Sequence, residues 1–338
     1  ADDPFAHSSQ NEQDTRRYAH FARIPCLDPS SIQEAHDMAR DAFALSEEFG
    51  LPVILRPTTR ICHSKGDVNL GEVGTEHRTA AFHRNPQQYV VIPAHTRPLH
   101  KALNAKQPAI RQRLSELGYN RCTVRGRTAV ITGGVSAAYV QEVLGDDVSL
   151  AIIGAYPIDE DWLREFVDRH NKVLVVEELN PVIEEVVRRV ATKTDVYGKM
   201  NGTVPYEGEF TPATVVDALA AAGMTASTTF PAVNPVPGVP PRPPILCAGC
   251  MHRSTFYAMR RVFRDGIFPS DIGCYTLGLQ LGAVDTTICM GASITIGSGI
   301  ARSGEKRPVV CTIGDSTFLH TGIQGLLNAV YNGADMVV

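Results

Sequence analysis

The chain has 338 residues, 43% hydrophobic and 20% charged, with 28 Gly and 22 Pro; this composition excludes disordered, collagenous and coiled-coil proteins, and at roughly 150 residues per domain the length predicts two or three domains. Lys and Arg number 32 against 36 Asp and Glu, a net charge of -4, and with no basic patch no nucleic-acid interface is expected. The longest apolar stretches, such as Leu150 to Tyr156, are far shorter than the ~20 residues of a membrane-spanning helix, so no membrane crossing is expected.

In chain order, Ala1-Asp2-Asp3-Pro4 opens without an initiator Met or a leader, and Met336-Val337-Val338 closes inside an apolar run, so both ends read as cuts within folded units. Ser31 and Glu34 predict a capping box for a helix whose apolar residues run from Ile32 to Phe49, with Gly50 as its C-cap. Leu51 to Leu55 reads as a short buried strand that delivers Arg56, Thr58, Thr59 and Arg60 to its carboxyl end, where open α/β sheets bind ligands. A polar helix is predicted over 99–117. From Thr128 the pattern alternates regularly: strands at 129–132, 148–153 and 172–176, helices at 136–144 and 159–170, hence a parallel sheet with right-handed crossovers. Gly133-Gly134 reads as a tight turn rather than a dinucleotide fingerprint, and Glu177-Glu178 as charge at a solvated sheet edge. Seven prolines between Pro231 and Pro244 predict a semi-rigid linker.

The chemistry concentrates after that linker. Cys247-Ala-Gly-Cys250 and Cys274 offer three thiolates able to converge on an iron–sulfur cluster or zinc, with a structural turn as the alternative. Cys289 and Cys311, in apolar contexts, read as packing residues. All eight cysteines are too sparse for a disulfide scaffold, which points to a reducing cytoplasm. Val309 to Ile313 reads as a strand entering Gly314-Asp315-Ser316 and then a helix with Ile323, Leu326, Leu327 and Val330 on one face and Gly333 as C-cap. Such a turn places amides and one carboxylate where a diphosphate can be held through Mg²⁺; the plainer reading is that Asp315 caps the helix. Arg56 and Arg60 suit an anionic group bidentately or a salt bridge. His7, His63 and His252 read as structural, and His320, one turn past Asp315, as an active-site group.

The motifs also come in a recognisable order: His7 to Asp14, Arg56 to Arg60, Val175 to Pro181, Cys247 to Arg253, Asp271 to Gly278, Ile288 to Ser293 and Gly314 to Ser316. Together they make the chain resemble the alpha subunits of the indolepyruvate ferredoxin oxidoreductases, within the thiamine-diphosphate-dependent 2-oxoacid:ferredoxin oxidoreductases. The resemblance implies a multi-domain α/β protein with a parallel-sheet thiamine-diphosphate-binding fold. On this chain, residues 1–65 would be the end of a pyrimidine-binding domain, 66–125 a connecting region, 126–228 a transketolase-C-terminal-like domain, 229–244 the linker and 245–338 a truncated diphosphate-binding domain.

The activity implied is conversion of an arylpyruvate and coenzyme A to an aryl-acetyl-CoA and CO2, with electrons passed to ferredoxin, in a cytoplasmic enzyme that pairs with a beta-type subunit and dimerises through its alpha chain. It implies thiamine diphosphate near Gly273, Met290, Gly291, Gly314, Asp315 and Ser316, Mg²⁺ on Asp315, substrate or coenzyme A on Arg56, Thr58, Thr59 and Arg60, and a [4Fe-4S] cluster on Cys247, Cys250 and Cys274. The activating Glu, the second Mg²⁺ ligand and a fourth cysteine fall outside the chain, which alone is expected to be inactive. The alternatives are a non-redox thiamine-diphosphate-dependent decarboxylase and a non-catalytic metal-binding scaffold.

Overall fold

In the computed structural model, which describes residues 1–7, 9–71, 82–231 and 236–338, the chain divides into two units, Ala1–Val233 and Asn234–Val338. Ser8, residues 72–81 of the connecting region and residues 232–235 of the expected linker lie outside the described residues. Among the described residues no helix is long and apolar enough to cross a membrane.

The strands of the first unit are β1 (Cys26–Leu27), β2 (Ile54–Leu55), β3 (Arg121–Thr123), β4 (Thr128–Gly133), β5 (Ser149–Ile153), β6 (Ala155–Tyr156), β7 (Lys172–Val176) and β8 (Asp195–Tyr197). They form a three-stranded sheet, β2-β1-β6, and a five-stranded sheet, β3-β5-β4-β7-β8. In the larger sheet β5, β4, β7 and β8 run parallel and β3 is an antiparallel edge. Its inner strands β5, β4 and β7 are largely apolar because both faces are covered, whereas the edge strand β3 is exposed. Ala129, Ile131, Val173 and Val175 pack on one face, Val130, Leu174 and Val176 on the other.

The helices of this unit are α1 (Thr15–Ala22), α2 (Ile32–Phe49), α3 (Thr59–His63), α4 (Pro93–Glu116), α5 (Ser136–Val143), α6 (Glu160–Val167), α7 (Val182–Val190) and α8 (Pro212–Ala221), beside a short turn at Pro86–Tyr89. Leu163, Phe166, Ile183 and Val187 bring α6 and α7 to the first face; Val140, Val143, Val215 and Leu219 bring α5 and α8 to the second. Each such fully buried side chain contributes roughly 1.5–3 kcal/mol.

Several expectations need correction. Ser31 caps α2 by accepting from the Glu34 amide at 3.1 Å, but the Glu34 carboxylate reaches back to Ser30, accepting from its amide at 2.8 Å and its hydroxyl at 2.6 Å, so the reciprocal box is shifted by one residue. The strand expected over 51–55 is paired only at Ile54–Leu55. Helix α4 starts six residues early, with Pro93 at the first helical position, where a missing N–H is harmless, and holds Pro98 and Pro108 inside it.

The second unit contains α9 (Met251–Val262), a 3-10 run over Cys274–Leu281, α10 (Ala292–Arg302), and a helical run that starts at Asp315–Thr317, passes through a π turn at Phe318–Gly322 and continues as α11 (Ile323–Tyr331). Its extended segments are parallel but joined by isolated bridges: Pro269 to Thr286, Ile267 to Val309, Ser270 to Thr312, and Val310 to Val337. The strand expected over 309–313 is this weakly paired segment. Leu246, Phe256, Met259, Phe268, Ala283 and Val310 form the core. Helix α11 turns the opposite face from the one expected: Gly325 and Ala329 are buried, while Leu327 and Val330 are exposed. A Cβ on Gly325 would stand 3.2 Å from Thr295 Cγ2, so the small residues allow close approach of α10.

Candidate active site

In the second unit three loops follow the carboxyl ends of three parallel segments, the side on which open parallel sheets bind ligands. Asp271, fully buried, ties two of them: its carboxylate accepts the Gly291 amide at 2.7 Å and the Ser293 amide at 2.8 Å, capping α10 from a distant part of the chain. Tyr275 ties the third. Its hydroxyl accepts the Gly314 amide at 3.0 Å and donates to the Ile272 carbonyl at 2.9 Å, and burial, with neighbouring carboxylates, raises its pKa.

The glycines are fixed by space. A Cβ on Gly273 would lie 2.6 Å from the Tyr275 ring, and one on Gly314 2.9 Å from its hydroxyl. Gly291 has φ +90°, and a Cβ there would meet Thr321 Oγ1 at 2.6 Å. Gly273, Gly291 and Gly314 therefore come together around Asp271, Tyr275 and Thr321. Met290, Asp315, Ser316 and His320 are exposed at the same loops. The first amides of the run from Asp315 have no intrahelical acceptor and lie at its positive end, an arrangement that takes anionic oxygen. This cradle of close-packed glycines, with one exposed carboxylate, fits a diphosphate bridged by Mg²⁺.

The cysteines do not assemble as expected. Among the described residues no group of three or more His, Cys, Asp or Glu is placed to hold a metal ion. Cys250 is the N-cap of α9 with its Sγ 3.3 Å from His252 Nδ1, while Cys247 and Cys274 are exposed. The Cys247 carbonyl is taken up by the Cys250 amide at 3.2 Å and Arg253 Nε at 3.2 Å, which fixes the turn through its backbone. These residues do not fit a cluster as placed. Cys311 is buried and its thiol is pushed up to about 12 by burial; Cys289 is exposed, so packing does not account for it.

In the first unit, β4 leads through α5 to β5 on one side, and β5 through α6 to β7 on the other, so the chain reverses between β4 and β7, a switch point. Arg16 fills it. The guanidinium binds Asp14 through Nε at 2.9 Å and Nη2 at 2.6 Å, Glu177 through Nη1 at 2.9 Å, and the carbonyls of Glu178 and Asn180 at 3.0 Å. Glu177 also accepts the amides of Ile183 at 3.0 Å and Glu184 at 2.8 Å, and Glu178 that of Phe210 at 2.8 Å. Both glutamates are buried, not on a solvated edge, because each caps a chain segment that folds over the strand end. Burial works to raise the Asp14 carboxyl, but the Arg16 and Arg56 charges offset it and hold the group at about 2. For Glu178 burial outweighs the Phe210 amide and the Arg56 and Lys199 charges, and pushes it up to about 7.

Arg56 belongs to the same network. It is 3% exposed, with Nε 2.5 Å from Asp2 and Nη1 3.0 Å from Asp28. Burial, with Nε and Nη1 both held by buried carboxylates, speaks against its use as a substrate anchor. Thr58 is buried beside Asp2, and Thr59, at the start of α3, donates its amide to the Asp2 carbonyl at 2.9 Å. Arg60 is half exposed and paired bidentately with Glu209 at 2.9 and 2.7 Å, and His7 joins the same carboxylate at 3.0 Å.

Sequence reasoning missed Asp271, Tyr275 and Arg16. The signal for the first two lay in Asp271-Ile-Gly-Cys-Tyr275, which reads most readily for its cysteine; Arg16 sits in a polar run that gives no hint of burial.

Residues 271–338 match the family described as thiamine pyrophosphate enzyme, C-terminal TPP binding domain. The whole chain aligns, at 42% identity over 355 residues, with 57% of the indolepyruvate oxidoreductase subunit IorA of Archaeoglobus fulgidus. It aligns likewise, at 42% over 376 residues, with 58% of the subunit of that name from Thermococcus kodakarensis. The chain thus spans less than two thirds of the length of these curated relatives. A 2-oxoglutarate:ferredoxin oxidoreductase structure from Magnetococcus marinus is a distant likeness, with a TM-score of 0.40 and 15% identity over 63% of this chain and 43% of that one.

Proposed function

From a chain that resembles the IorA subunits of indolepyruvate oxidoreductases along its whole length, we propose that the protein takes part in oxidative decarboxylation of an arylpyruvate. Coenzyme A collects the product as an aryl-acetyl-CoA, CO2 leaves, and ferredoxin receives the electrons. The observation that carries this reading is the glycine cradle around Asp271 and Tyr275, inside the segment that matches a thiamine-pyrophosphate-binding domain.

Thiamine diphosphate, when bound, supplies the nucleophilic carbon and the electron sink that a 2-oxoacid needs in order to lose CO2. The protein's part is positioning. Asp315 supplies one oxygen to Mg²⁺, and the amides at Asp315-Ser316 receive phosphate oxygen at the positive end of the helical run. Gly314 and Gly291 let the backbone approach without a side chain, and Met290 lines the same loops. His320 is exposed one turn beyond and is assigned to exchange a proton with the substrate. Arg60, half exposed, can turn from Glu209 to an anionic group. No electron step is assigned to Cys247, Cys250 and Cys274, whose placement does not make a cage. A beta-type subunit, a second alpha chain and a cytoplasmic setting complete the proposal.

The test is anaerobic reduction of a viologen dye by the full-length protein combined with its partner subunit, with arylpyruvates and coenzyme A. Dye reduction that requires both substrates is expected. Release of CO2 without dye reduction would instead identify a non-redox decarboxylase.

A further inference from the structure

A second cleft, of about 740 Å³, lies in the first unit among α1, α4, α6 and α7, and none of the residues assigned above to substrate or cofactor lines it. That volume is in the range of small-molecule sites, roughly 300–1,000 Å³. Its lining includes an apolar set, Ile24, Pro108, Ile158, Val182 and Val186.

Its charge is not balanced. All four acidic groups on the walls are already engaged. Glu185 holds Arg17 bidentately at 2.6 and 2.7 Å. Asp161 binds Arg164 at 2.5 Å, and Glu160 binds Arg189 at 3.2 Å. Asp159 accepts the amides of Asp161 and Trp162 at the start of α6. Arg23 and Arg111 remain, and among the described residues neither has a carboxylate partner.

Arg23 is also held in place. It has φ +57°, a left-handed conformation uncommon outside glycine, and its carbonyl accepts Gln107 Nε2 at 3.0 Å while its guanidinium donates to Asn104. Asn104, Gln107 and Arg111 recur at helical spacing on α4, so they share the face that meets Arg23.

We propose that this cleft binds a phosphate monoester of an apolar, ring-sized group. Two guanidinium groups without a carboxylate partner match the dianionic head, and the apolar part of the lining takes the body. A carboxylate with the same body neutralises only one of the two charges and binds more weakly.

The probe is 1-naphthyl phosphate, titrated calorimetrically into the full chain. Saturable binding at one site is expected, weakened about tenfold or more in Arg111→Ala and in Arg23→Ala, as loss of a charge-assisted contact requires. Among the described residues Arg111 makes no side-chain hydrogen bond or ion pair, so its variant keeps the fold, and Arg111→Lys should restore part of the affinity. Neutral 1-naphthol should not bind, and inorganic phosphate should bind at least tenfold more weakly. Equal affinity in the variants and the parent, or equal binding of naphthol and its phosphate, would overturn the proposal.

Discussion

Asp271 holds two loops with a single carboxylate, and its chemistry makes the dependence testable. In Asp271→Asn one acceptor becomes an NH2 group facing a buried amide, which costs about 1–3 kcal/mol, since an unsatisfied buried donor loses its water without gaining a partner. A lower urea midpoint for the second unit, with the first unit unchanged, is the expected reading. Arg16→Met should be more severe, because Asp14 and Glu177 would stay buried without their cation; breaking such a pair costs about 3–5 kcal/mol. Glu178 acts in the opposite sense. Its folded pKa of about 7 exceeds the ordinary 4.5, so between these values the native state keeps a proton that the unfolded chain releases. Its contribution to stability is complete below pH 4.5 and is lost as pH rises through 7, about 3 kcal/mol in all. Glu178→Gln, which keeps an acceptor for the Phe210 amide, should flatten that part of the stability profile measured by denaturant titration. An unchanged slope would show that Glu178 is ionised throughout.

Elements with a strong period were legible before any coordinates. The alternation from Thr128 to Val176 gave β4, α5, β5, α6 and β7 nearly at their true bounds, because strands covered on both faces are uninterrupted apolar runs. Elements defined by partners far away in sequence were not. β1 and β2 are two residues each and exist through pairing alone, and the buried face of α11 is read from glycines rather than from its leucines. The Gly314-Asp315-Ser316 turn was visible as a motif, but the Asp271 and Tyr275 supports depend on contacts 20 to 39 residues apart. The same geometry makes Gly291→Ala informative. Its positive φ and the 2.6 Å approach to Thr321 leave no place for a methyl group, so the loop must shift. A loss of about tenfold or more in thiamine diphosphate affinity is expected, with the melting of the first unit unaltered; parent-like affinity would separate this loop from the cofactor.

At the scale of the molecule, the first unit fills the switch point at its strand ends with Arg16, and the second places an open cradle at the ends of its parallel segments. The proposed cofactor site lies in the second unit, where residues 271–338 match a thiamine-pyrophosphate-binding domain. Two units with separate cores should unfold in two transitions rather than one, and calorimetric scanning can resolve them. The central claim is that Asp315 and the Gly314 turn hold thiamine diphosphate through Mg²⁺. Isothermal titration of thiamine diphosphate into the full-length protein tests it most directly, with and without Mg²⁺, in the parent and in Asp315→Ala. We predict one-site binding that requires Mg²⁺, is abolished in Asp315→Ala and is unchanged in Arg111→Ala. Binding of equal affinity in Asp315→Ala, or binding indifferent to Mg²⁺, would contradict it.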